Sequence, residues 1–140
     1  MLSARSQYAA LAMLQLAQDF ASGEPVQVRR IAERHGIPPT FLVQILHELR
    51  RAGLVVSTRG ASGGYRLNRS PGEVTLADVV DVFETSEEPA ECAAAESPWG
   101  PALVDVCCEL TRARRERLQA VTLADLADRA AVAGGPMWYI

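Results

Sequence analysis

Between Gln27 and Leu67 the chain sets out two short helices and a hairpin in immediate succession, with a glycine at nearly every stop, and few folds accommodate that order. A helix is expected from about Gln27 to His35, burying Val28, Ile31 and Ala32, with Gly36 placed where a left-handed C-cap is wanted. The turn Ile37-Pro38-Pro39-Thr40 leads into a second helix, about Pro39 to Ala52, which Gly53 ends. Its spacing sends Leu42, Ile45, Leu46 and Leu49 to a core and leaves Thr40, Val43, Gln44 and His47 on the opposite side. Leu54 to Thr58 then reads as a strand, Arg59 to Gly64 as a glycine-rich tip, and Tyr65 to Leu67 as the returning strand.

Two helices joined by a tight turn, the second amphipathic, form a helix-turn-helix. With a hairpin directly behind it, the unit is a winged helix, and the fold class expected is mainly α with a small β-hairpin wing. The tip glycines Gly60, Gly63 and Gly64, with Ser62 among them, allow the backbone close to phosphates, and Arg59 suits a narrow minor groove. The first helix of the chain is expected from about Ser3 to Phe20, with Tyr8, Leu11, Leu14 and Ala17 on its inward face.

Charge divides at the same place as pattern. Residues 1–70 carry nine arginines against Asp19, Glu24, Glu33 and Glu48, a balance of +5, whereas residues 71–140 carry five against thirteen acids, a balance of −8. This suits a polyanion-binding module, residues 1–70, joined to a sensor and dimerisation region, residues 71–140.

In that second part Thr75-Leu76-Ala77-Asp78 and Thr122-Leu123-Ala124-Asp125 repeat one tetrapeptide, each a threonine N-cap with an acid three residues on. Because their surroundings differ, they read as two separate helix starts rather than a duplicated domain. A long helix is expected from about Pro98 to Gln119, with Leu103, Val106 or Cys107, Leu110, Ala113 and Arg117 as a stripe that a second copy of the chain covers. Arg112, Arg114, Arg115 and Arg117 crowd its later turns as partners for nearby acids. The aromatic tail Met137-Trp138-Tyr139-Ile140 is expected to pack on the partner subunit or the sensor region.

Several function classes fall away. No stretch approaches the ~20 apolar residues of a membrane span. The run Tyr8 to Ala17 is interrupted by Gln15 and reads as a helix rather than a secretory segment. No Ser-His-Asp set, paired carboxylates or lysine-bearing phosphate loop is present, which argues against an enzyme. Three cysteines, two of them adjacent, make a poor disulfide framework, so a cytoplasmic protein is expected.

The segments Ser6-Gln7-Tyr8-Ala9, Ile31-Ala32-Glu33, Ile37 to Leu42, Gly53-Leu54-Val55, Arg59 to Tyr65, Thr75 to Val79 and Thr122 to Leu126 together resemble the Rrf2 family of bacterial transcription regulators, over nearly the whole chain. The resemblance implies a homodimer with crossed long helices on palindromic double-stranded DNA. Each recognition helix lies in a major groove and each wing in the adjacent minor groove. It places Thr40, Phe41, Val43 and Gln44 against base edges or phosphates and Arg59 in the minor groove. Val43 then discriminates only through apolar contact, as with a thymine methyl, while Gln44 is the better hydrogen-bonding reader. The competing reading is a winged-helix module that binds protein and no nucleic acid.

Some members of the family hold an iron–sulfur cluster on three cysteines close together ahead of the long helix. Here Cys92 falls at the first such position, but fourteen residues separate it from Cys107 and Cys108, which are placed on the helix. Three readings stay open: a cluster of unusual ligation, a disulfide from Cys92 to Cys107 or Cys108, and cysteines that serve as small buried hydrophobes.

Overall fold

The computed structural model describes residues 2–84 and 96–134. Helix α1, Ala4–Gln18, opens on Ser3, whose hydroxyl accepts the Ser6 amide N–H. After a 3-10 turn at Phe20–Ser22 comes α2, Val28–His35, closed by Gly36 in the left-handed region at φ 65°. That conformation is costly for a residue with a Cβ and routine for glycine. Helix α3, Pro39–Arg51, begins on a proline whose missing N–H has no helical partner to lose. The hairpin pairs β1, Val55–Thr58, with β2, Gly64–Leu67, in antiparallel register from Val55 opposite Leu67 to Thr58 opposite Gly64. Helices α4, Leu76–Phe83, α5, Gly100–Ala120, and α6, Leu123–Gly134, complete the described residues. The fold is a winged helix, mainly helical with a two-stranded wing, as the pattern predicts.

One expectation is corrected. The fully buried side of α1 is Ala9, Ala12, Met13 and Leu16, joined by Ser6 and Gln15, while Tyr8, Leu11 and Ala17 are half-buried flanks. The reason is that α1 is the central helix, packed against α3, α4, α6 and β2. A helix enclosed on several sides has no single stripe for periodicity to find, and its alanines mark the closest approaches.

Two features are non-local. Val26 exchanges backbone hydrogen bonds with Tyr65 (2.8 and 2.9 Å), adding a one-residue third strand to the wing. The threonine repeat closes on itself: Thr75 and Thr122 form an isolated antiparallel bridge, with the Leu76 N–H donating to Val121 and the Leu123 N–H to Val74 (2.7 and 2.9 Å). Each threonine also caps its own helix reciprocally with Asp78 or Asp125. Through this clasp the buried cluster of α1, α2, α3 and the wing continues into Val74, Val79 and Leu123.

Candidate nucleic-acid interface

The core-facing residues of α3, Leu42, Ile45, Leu46 and Leu49, are all fully buried, which fixes the roll of the helix. Its outward face is then Thr40, Phe41, Val43, Gln44 and His47, every one exposed. Phe41 and Val43 remain 41% and 49% accessible, unusual for large apolar side chains on so well anchored a helix. Phe41 is steadied by Tyr8, whose ring meets it edge-on at 6.1 Å.

The wing is held beside this face. An Arg50 guanidinium N–H donates to the Ser57 hydroxyl at 3.2 Å, joining the end of α3 to β1. The Gln27 side-chain amide donates to the Ala61 carbonyl at 3.1 Å, joining the start of α2 to the tip. At the tip Gly60 has φ 107° and its carbonyl accepts the Gly63 N–H. A Cβ on Gly63 would overlap the Thr58 carbonyl, and one on Gly64 the Val26 carbonyl. These glycines are therefore required by the turn and by the third strand, whatever the tip touches. Arg59 and Ser62 are exposed at the tip.

Several cations in this half are already engaged: Arg5 with Glu48 at 2.7 Å, Arg29 with Glu33 at 3.0 Å, and Arg30 with Asp19 at 3.7 Å. Arg34, Arg51, Arg59 and Arg69 are exposed and have no ion pair among the described residues. His35 is half-buried and turned toward α1. Its Nε2 lies 3.0 Å from Gln15 Oε1, and the Gln15 amide donates to Asp19. A carboxylate only accepts, so the amide turns its NH2 to Asp19 and its oxygen to His35, which must donate there. Burial first, and Arg34 second, hold the His35 pKa below its ordinary value.

Helix α5 is a different surface. Of its 21 residues only Gly100 is fully buried, and Leu103, Val106 and Leu110 are 49%, 49% and 65% exposed. Arg117 is exposed on the same helix. Arg114 and Arg115 turn back to α4, pairing with Glu84 and Asp81. Cys107 and Cys108 are free, half-buried neighbours. Successive helical residues point about 100° apart, and among the described residues no three His, Cys, Asp or Glu side chains converge as a metal-ligand group. Cys92 and the tail Met137 to Ile140 lie outside the described residues.

The sequence pattern foretold the α3 face and the wing tip but missed Gln27, Arg50 and Ser57, whose partners are remote in sequence. Gly64, placed in the tip by the sequence pattern, is the first residue of β2, where the Val26 backbone comes close.

Comparison with known proteins agrees with this architecture. The Rrf2 family model, described as an iron-dependent transcriptional regulator, matches residues 2–129. Protein rrf2 of Nitratidesulfovibrio vulgaris is 37% identical over 131 residues, spanning 89% of this chain and 85% of that one. Among solved structures, CymR, the global cysteine regulator of B. subtilis, is similar with a TM-score of 0.82 and 32% identity, covering 92% of this chain and 97% of that one. IscR of T. potens is similar with a TM-score of 0.78 and 34% identity, over 99% and 96%.

Proposed function

The chain belongs to the Rrf2 family of transcription regulators, and from that premise we propose that it binds palindromic double-stranded DNA as a homodimer, in the bacterial cytoplasm. It is a DNA-binding regulator and not an enzyme. The reading head is Thr40, Phe41, Val43, Gln44 and His47, with Arg59 entering the minor groove and Gly60, Ser62, Gly63 and Gly64 bringing the wing backbone to the phosphates. Residues 1–70 supply the DNA-contacting surface and residues 71–140 the assembly and signal-receiving one. The observation that carries this reading is the combination of an outward α3 face, exposed in every residue, with an exposed Arg59 that has no ion pair among the described residues, on a wing tethered next to it.

The homodimer rests on α5. Leu103, Val106 and Leu110 recur at three- and four-residue steps and stay open to solvent in the single chain, a stripe that the same helix of a second copy covers. Arg117 lies at the end of that interface.

For the signal, the residues favour thiol chemistry over a closed metal cage. Cys92 and one of Cys107 or Cys108 lose two protons and two electrons to a hydroperoxide, whose O–O bond breaks to give an alcohol and water as the disulfide forms. Iron content and visible absorbance of anaerobically purified protein distinguish this from a cluster: a colourless, iron-free protein is expected.

Selection of duplexes from a random-sequence library by the full chain tests the function. Enrichment of an inverted repeat is expected; recovery of no preferred duplex favours the protein-binding module instead.

A further inference from the structure

Adjacent residues of α1 reach to opposite ends of the molecule's working parts. Arg5 donates to Glu48 of α3 at 2.7 Å, and its guanidinium lies 5.4 Å from the ring centre of Phe83, the last residue of α4. Ser6 is fully buried, and its hydroxyl donates to Glu84 at 2.6 Å and accepts from the Ser3 hydroxyl at 3.1 Å. The other Glu84 oxygen accepts from Arg114 of α5 at 3.2 Å. One turn further along α1, Tyr8 meets Phe41. Phe41 and Glu48 are two turns apart on α3, so α1 grips the recognition helix at two points on one side.

We propose that Arg5 and Ser6 are positioning residues that couple the seating of the recognition helix to the placement of Glu84 and α5. The inference rests on the DNA-binding reading above. If Glu84 is drawn away by a movement of α5, the buried Ser6 hydroxyl exchanges a short bond to a carboxylate for the longer contact with the Ser3 hydroxyl at 3.1 Å, a weaker arrangement. A contact made in one placement of Glu84 and lost in another is what coupling between α5 and α3 requires. Phe83 directly precedes Glu84, so the same movement shifts the ring over which the Arg5 guanidinium is set, and with it the Arg5–Glu48 pair. The Arg5 and Glu48 side chains are 43% and 37% exposed. A static ion pair that open to water adds little to stability, so its contribution lies in where it holds α3.

The test uses the full chain and the tightest duplex recovered by the wild type from a random library. Removing an acid from a DNA-binding domain raises affinity if only long-range charge matters. Positioning predicts the opposite: Glu48→Gln lowers affinity about fivefold or more, with the melting temperature nearly unchanged and dimer assembly intact. Ser6→Ala lowers it similarly, the pair Ser6→Ala with Glu48→Gln loses no more than the larger single effect, and Arg5→Lys retains most of the affinity that Arg5→Met loses. A rise in affinity for Glu48→Gln, or losses that multiply in the double variant, overturns the coupling while leaving DNA binding standing. A wild type that recovers no duplex overturns both.

Discussion

Thr75 and Thr122 face each other across an antiparallel bridge formed by two copies of one five-residue sequence, Val-Thr-Leu-Ala-Asp, at 74–78 and 121–125. Each copy caps its own helix and lends a backbone carbonyl to the other, so the starts of α4 and α6 are held side by side on the winged body.

The clasp predicts that the two halves unfold together. Leu123 is fully buried in the same cluster as α1 and α3, and Leu123→Ala is expected to cost about 2–5 kcal/mol. Thr75→Ala, which loses a helix cap, should cost about 1 kcal/mol. Urea unfolding followed by circular dichroism should give one transition for both variants, shifted to lower denaturant. Separate transitions for the two halves would count against a shared core.

The wing tip predicts a loss of DNA affinity that exceeds the loss of stability. Gly63→Ala places a Cβ onto the Thr58 carbonyl, and relief requires the tip backbone to move. The clash is at the tip, three register positions from the buried Val55 and Leu67 pair, so the melting temperature should fall modestly while affinity for the selected duplex falls by about tenfold or more, of the order of one lost recognition element. Equal affinity of variant and wild type would remove the wing from the interface.

The open stripe of α5 predicts an assembly defect. Leu110→Glu puts a charge in the centre of the proposed dimer seam, and sedimentation should show a monomer with a normal helical spectrum. A variant that still sediments as a dimer would place the interface elsewhere.

Acid stability carries the mark of Glu84. The Ser6 hydrogen bond chiefly, and Arg114 as well, hold its carboxyl below the ordinary 4.5. The unfolded chain therefore takes up this proton first, so the contribution is complete above the ordinary value and is lost as pH falls below it. His35, also held low, contributes above its ordinary value and loses that contribution on acidification too. Unfolding midpoints measured from neutral pH downward should fall less steeply for Glu84→Gln than for the wild type, with the difference confined to the carboxylate range. Parallel curves would mean that Glu84 is not held by these partners.

What the sequence made legible was local. Gly36 and Gly53 stop their helices, Thr75 and Thr122 cap theirs, and the leucine spacing of α3 fixes which of its residues face out. What it hid was tertiary. The buried face of α1 is rotated from the predicted stripe because that helix is enclosed on several sides, and no local rule pairs Val26 with Tyr65 or one Thr-Leu-Ala-Asp segment with the other. The cysteines divide the same way: adjacency on α5 fixes the divergence of Cys107 and Cys108, while Cys92 lies outside the described residues.

DNA recognition is measured by fluorescence anisotropy of the full chain on its selected inverted-repeat duplex and on a scrambled duplex of equal length, over a range of salt. A preference for the selected duplex of about a thousandfold or more is expected. Affinity should decline steeply with salt, and for Arg59→Ala the log–log slope should be shallower by about one unit. Equal affinity for both duplexes at every salt concentration, or none for either, would contradict sequence-specific recognition.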